Sequence, residues 1–221
     1  MRALPIALAF LSALAAPAGR AAMPEAADAG FCKPQTWLFG GWVAPPRIPL
    51  LADVNGDGYA DFVYASPKDK SIDVALNGKG WKPLRGQRLI SNLPQEIAAI
   101  CAGHFGGKTI DLVVLGRQGR LVKALSVEGG RFPATTPLAD LKLPAGRTWL
   151  LAGRIGAGPL DEIVVVSANG HVRILDAAGK PLRELALGAQ VQDAALGDVD
   201  GNGRTELAVR SGGQVELYRL G

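Results

Sequence analysis

The chain has 221 residues, 29 of them glycine, with only 6 % aromatic content and a formal charge of +4. That length is enough for one proper core, and a charge this mild, with no concentrated basic stripe, argues against a nucleic-acid partner. Two cysteines and two histidines leave little material for a soft-metal centre or for histidine-based catalysis.

Residues 1–22 have a basic start, an apolar stretch from Leu4 to about Ala16, and small residues suited to cleavage after Ala15, Ala18 or Ala22. This reads as a cleaved signal peptide and an extracytoplasmic product, periplasmic or secreted. The apolar run is too short for a membrane span, and no later segment approaches that length, so no transmembrane segment is expected in the mature chain. Residues 23–47 follow as an N-terminal segment. It contains a strand-like stretch, PQTWLFGGWV (34–43), with no sheet of its own.

From residue 48 the chain reads as strands and tight turns. The first group is expected near 48–54, 61–66, 71–77 and 81–90, and the second near 97–104, 110–115, 120–127 and 131–139. The third falls near 148–154, 162–167, 171–176 and 181–187. The last has only 191–198, 206–210 and 214–220. Turns such as NGKG, VEGG, SANG, AAGK and SGG supply the glycines and asparagines that positive φ demands.

The loops between the first and second strands of the outer groups are nearly the same: LADVNGDGYADFVYA (51–65) and LGDVDGNGRTELAVR (196–210). Oxygen-bearing side chains occupy alternate positions around a glycine turn, as Asp53, Asn55, Asp57 and Asp61, then as Asp198, Asp200, Asn202 and Glu206. Hard oxygens converging in this way suit Ca²⁺ rather than a soft transition metal, which gives two expected calcium sites. An EF-hand would need an acid at loop position twelve and flanking helices. Position twelve is Tyr64 in one copy and Val209 in the other, and strand-like runs follow both.

Two worn copies lie between them, CAGHFGGKTIDLVVL (101–115) and LAGRIGAGPLDEIVVV (151–166). The first ligand position becomes His104 or Arg154 and the inner ligands largely become glycine. The closing acid survives in all four copies, as Asp61, Asp111, Glu162 and Glu206. So does a small residue before the first ligand position, as Ala52, Gly103, Gly153 and Gly197. A spacing of roughly 45–50 residues, all strand and turn, fits one four-stranded propeller blade. The expected fold is all-β: a small β-propeller of four blades of four antiparallel strands, with residues 34–43 supplying the strand that closes the last blade.

These four repeats, over residues 48–221, resemble the FG-GAP/VCBS family, whose Asp-x-Asx-x-Asx-Gly-x-x-Asp/Glu loops bind calcium in integrin α-subunit propellers and in secreted bacterial proteins. The resemblance implies a backbone carbonyl at position seven as a further ligand, which falls on Tyr59 and on Arg204. It also implies interaction rather than catalysis.

The remaining chemistry is sparse. No Gly-x-Ser-x-Gly elbow, phosphate-binding loop or His-Glu-x-x-His pair is present, so no catalytic residue is assigned. Cys32 and Cys101 read either as a disulfide or, for Cys101, as a small buried apolar residue. The tryptophans Trp37, Trp42, Trp81 and Trp149 read as core packing. The end of the propeller opposite the calcium loops collects Lys68, Lys70, Arg117, Arg120, Arg147, His171 and Arg210. That suggests a cationic surface for an acidic glycan or protein, although solvated turns collect such residues anyway. The expected molecule is a monomeric binding module. The alternatives are a subunit of an envelope assembly or, with less support, a carbohydrate-active enzyme.

Overall fold

A computed structural model describes residues 48–66, 70–78, 87–90, 93, 95–106, 109–124 and 135–221. The chain divides into two compact units, Met1–Leu38 and Phe39–Gly221, and the described residues all belong to the second. The signal peptide, residues 34–43, Cys32, Trp37, Trp42, Trp81 and Lys68 lie outside the described residues, as do the VEGG turn and part of NGKG.

The described residues form strands and turns only. The first sheet is β1 (Ile48–Ala52), β2 (Asp61–Ser66), β3 (Ser71–Ala75) and β4 (Gln87–Ile90). The second is β5 (Ile97–Gly103), β6 (Asp111–Gly116), β7 (Arg120–Ala124) and β8 (Thr135–Asp140). The third is β9 (Thr148–Gly153), β10 (Glu162–Ser167), β11 (His171–Leu175) and β12 (Pro181–Ala186). The fourth is β13 (Asp193–Gly197), β14 (Glu206–Ser211) and β15 (Gln214–Arg219). Every sheet is an antiparallel meander in chain order. The first strands also neighbour one another, β1 beside β5, β5 beside β9 and β9 beside β13. This is the blade arrangement of a β-propeller. Among the described residues no helix is long and apolar enough to cross a membrane.

The packing explains why the second strands are apolar without alternation. In β6, Leu112 and Val114 enter a core shared with the first blade, through Val63, Ile72 and Val74. Their neighbours Val113 and Leu115 point the other way, to Leu150, Ile163 and Val165 of the third blade. In β10 the split recurs: Val164 and Val166 join Leu207 and Val209 of the fourth blade. A strand buried on both faces reads as a continuous hydrophobic run. Each fully buried valine, leucine or isoleucine contributes about 1.5–3 kcal/mol to holding the blades together. Trp149 and Cys101 belong to these cores, 8 % and 5 % exposed. Among the described residues Cys101 has no disulfide partner, and burial pushes its thiol well above the usual range.

The register fixes the repeated acid. Each second strand begins with it, and it pairs with the last residue of the first strand: Asp61 with Ala52, Asp111 with Gly103, Glu162 with Gly153 and Glu206 with Gly197.

Candidate metal centre

The two acidic loops are built alike. Asp53 Oδ1 accepts the N–H groups of Gly56 at 2.7 Å and Asp57 at 3.1 Å, and its Oδ2 accepts that of Gly58 at 2.7 Å. Asp198 repeats the set on Gly201, Asn202 and Gly203, at 2.7, 3.1 and 2.8 Å. Asn55 Oδ1 accepts the Asp57 N–H at 3.0 Å, as Asp200 Oδ1 accepts that of Asn202 at 3.2 Å. Asp57 Oδ1 then accepts the Tyr59 N–H at 2.9 Å, as Asn202 Oδ1 accepts that of Arg204 at 2.8 Å. Tyr59 and Arg204, whose carbonyls complete the expected ligand sets, are exposed beside these turns. The curl needs positive φ at two places. Glycine supplies it in both loops, with φ of 76° and 86° at Gly56 and Gly58, and 74° and 81° at Gly201 and Gly203.

The loops differ at the closing acid. Asp61 is fully buried, and both its oxygens are taken by backbone: Oδ2 accepts the Val54 N–H at 3.0 Å and Oδ1 that of Asn77 at 2.7 Å. Burial pushes its carboxyl above the usual range, against these two bonds, and the charges of Asp57 and Asp53 add to the rise. Glu206 is one methylene longer. Its Oε2 accepts the Val199 N–H at 3.0 Å, and among the described residues Oε1 has no partner. In this second loop Asp198, Asp200 and Glu206 each bring a carboxylate oxygen within 4.8 Å of the others. Among the described residues no other three acids do so. In the first loop position three is the amide Asn55, whose Nδ2 donates to Asp57 Oδ2 at 3.1 Å.

The second loop's donor set, with three carboxylates, an amide oxygen and a carbonyl, fits a hard divalent cation such as Ca²⁺. A cation already stands beside it. The Arg219 guanidinium, on β15, lies 3.1 Å from Asp200 Oδ2.

The worn loop of the third blade keeps the clasp but not the inner ligand positions. Glu162 Oε2 accepts the Ile155 N–H at 2.8 Å and Oε1 that of Gly156 at 3.2 Å. His104 and Arg154 are exposed. The residue just before the closing acid instead reaches back to the preceding blade. Asp161 Oδ2 accepts the His104 N–H at 2.8 Å while the Asp161 N–H donates to the His104 carbonyl at 2.9 Å. Thr205 likewise binds the Arg154 carbonyl through its N–H at 2.7 Å and its Oγ at 3.2 Å. Sequence reasoning passed over Asp161, Thr205, Asn77 and Arg219. The first two were marked only by their place next to a repeated acid.

Of the cationic residues expected at one end, Lys70, Arg117, Arg120, Arg147, His171 and Arg210 are among the described residues. Inter-blade crossings bond to the ends of second strands or to the turns after them: Leu93 N–H to the Lys70 carbonyl at 3.0 Å, Leu187 to Gly170 at 2.9 Å, and Gln192 to Arg210 at 2.9 Å. Part of their charge is matched locally, however. Arg117 pairs with Glu96 and Arg120 with Asp140, each at 3.1 Å, and His171 Nε2 lies 3.4 Å from Glu184. Arg210 donates to Gln192 at 2.7 Å, and Arg147 stacks 4.7 Å from the centre of the Trp149 ring. Lys70 is exposed, in the left-handed region at φ 52°.

A cleft of about 310 Å³ between the third and fourth blades is lined by Ile155, Glu162, Leu182, Arg183 and Arg204 among others. The carboxylate there is already committed to backbone amides.

No protein-family model matches the chain, and no curated protein matches it. Among solved structures, BBS1N in complex with ARL6DN is similar at 16 % identity and a TM-score of 0.46, over 78 % of this chain and 56 % of that one. Sqt1 of Saccharomyces cerevisiae is similar at 14 % identity and a TM-score of 0.45, over 79 % of this chain and 46 % of that one. The chain therefore spans about half the length of these neighbours.

Proposed function

We propose that the protein is an extracytoplasmic calcium-binding β-propeller that acts as a non-catalytic binding module for an acidic glycan or protein. The observation that carries this reading is the gathering of Asp198, Asp200 and Glu206 oxygens within 4.8 Å on a loop whose backbone is already curled to present them. The second loop is the tighter calcium site. The first, with Asp61 withdrawn into the backbone and an amide at position three, fills at higher calcium. The ions are structural: they neutralise clustered carboxylates and pin the turn between a blade's first two strands. Ligand contact then falls to the opposite end, where Lys70, Arg117, Arg120, Arg147, His171 and Arg210 collect.

Thermal melting of the signal-free protein in Ca²⁺ and in EDTA, beside an Asp57→Asn/Asp200→Asn double variant, tests the metal. A ligand that binds the folded state raises the melting point as its site fills. A calcium shift lost in the double variant is expected, and no shift in the wild type would remove the metal from the reading. Retention on an acidic polysaccharide, compared with an Arg117→Gln/Arg120→Gln/Arg147→Gln variant, tests the ligand surface separately.

A second reading, as a subunit of an envelope assembly, draws on β15, which exposes Val215 and Leu217 at 52 % and 56 %. Co-purification with a fixed partner that is lost on Leu217→Glu would favour it.

A further inference from the structure

Both acidic loops crowd like charges, but they relieve the crowding differently. In the first, the Asn55 amide replaces one acid and donates through Nδ2 to Asp57 Oδ2 at 3.1 Å. In the second, position three is a full carboxylate, Asp200, and relief comes from outside the loop. Arg219 stands opposite Glu206 in the β14–β15 register, and from there its Nη2 reaches Asp200 Oδ2 at 3.1 Å. The equivalent place in the first blade continues the β2–β3 pairing of Phe62 with Ala75, one step on, and is filled by Leu76, which packs against the core. The guanidinium is therefore peculiar to the loop that gathers three carboxylates.

We propose that Arg219 is an internal counter-ion that competes with a divalent cation for Asp200, and so sets the calcium affinity of the second loop and of no other. The inference rests on the calcium reading above. Asp200 Oδ1 already accepts the Asn202 N–H, which leaves Oδ2 as the oxygen with most to offer. A guanidinium on that oxygen and a calcium ion among the three carboxylates repel each other and draw on the same lone pairs. The competition is mild, because the Arg219 side chain is 79 % exposed and that of Asp200 is 35 % exposed. An exposed ion pair of this kind shifts a competing equilibrium by about two- to five-fold. Its effect is one of range: Arg219 places half-saturation at a higher calcium level than the carboxylates alone would set.

Calorimetric titration with CaCl₂ in the Asp57→Asn background, where the first loop is weakened, reads the second loop directly. Arg219→Gln is expected to tighten binding about two- to five-fold, while Arg219→Lys, which keeps the charge, stays near the wild type. Both changes lie on an exposed strand position, and equal chelated melting points would show both variants folded. Unchanged or weaker binding in Arg219→Gln, with binding intact in the parent, overturns the role of Arg219 and leaves the calcium reading standing. No binding in the parent overturns the calcium reading at this loop and the present inference with it.

Discussion

A β-carbon on Gly153 would stand 2.7 Å from Thr205 Oγ1 and 3.1 Å from its Cγ2. The bare α-carbon of one blade is thus what admits the threonine of the next, which bonds the Arg154 carbonyl immediately downstream. Gly103 stands in the same relation to Asp161, whose Oδ2 would lie 2.9 Å from the added carbon. Gly197 ends the equivalent strand of the fourth blade, and among the described residues nothing lies within 4 Å of its β-carbon position. Gly153→Ala is therefore expected to lose about 1–3 kcal/mol in urea unfolding, the usual range for overpacking. Gly197→Ala should stay within about 0.5 kcal/mol of the wild type. Equal losses at the two sites would show that the small residue serves its own strand and not the neighbouring blade.

The Glu162 carboxylate clasps the Ile155 and Gly156 amides in a loop with no inner acids. Replacing it by glutamine turns one acceptor into a donor that faces another donor. Glu162→Gln should cost about 1–3 kcal/mol, to the same extent in Ca²⁺ and in EDTA. A loss that appears only in calcium would mean that the third loop binds metal after all.

The two acidic loops should separate in single variants. Asp200→Asn removes a carboxylate from the gathered set and is expected to abolish most of the calcium-induced rise in melting temperature. Asp57→Asn leaves that set untouched and should remove the smaller part, since ligand charge tunes calcium affinity. The reverse order would place the tighter site on the first loop.

Trp149 Nε1 donates to Asp193 Oδ1 at 3.1 Å, tying β9 to β13, while Arg147 covers its ring. Trp149→Phe deletes that bond and leaves space beside it, at an expected cost of about 1–3 kcal/mol by denaturant unfolding. A neutral result would assign the tie between these blades to the apolar core alone.

Much of the blade pattern was legible because two periodicities coincided. The repeated acid marks the start of each second strand, and glycine-bearing turns mark the end of three of them, so β2, β6, β10 and β14 fall where the sequence places them, to within a residue. The strands expected over 81–90 and 131–139 lie in part outside the described residues, which hold β4 over Gln87–Ile90 and β8 over Thr135–Asp140. At the site, the alternate placing of oxygen-bearing side chains along each loop was readable from the sequence alone. The inequality of the loops was not, because it depends on which backbone amide meets an oxygen of Asp61. That partner, Asn77, lies on the far side of a strand pair. The reach of Arg219 to Asp200 was hidden for the same reason: it is a relation across a register, not along a sequence.

The clasp by Glu162 separates two things that a metal-binding repeat usually joins. The acid that would serve a cation also fastens its own loop, so a blade stripped of its inner ligands keeps its shape. Sites in such an array can erode one at a time without a loss of architecture to oppose each step. The same property makes the third blade's loop an open position for engineering, where acids added to an already fastened turn would meet a backbone that needs no redesign.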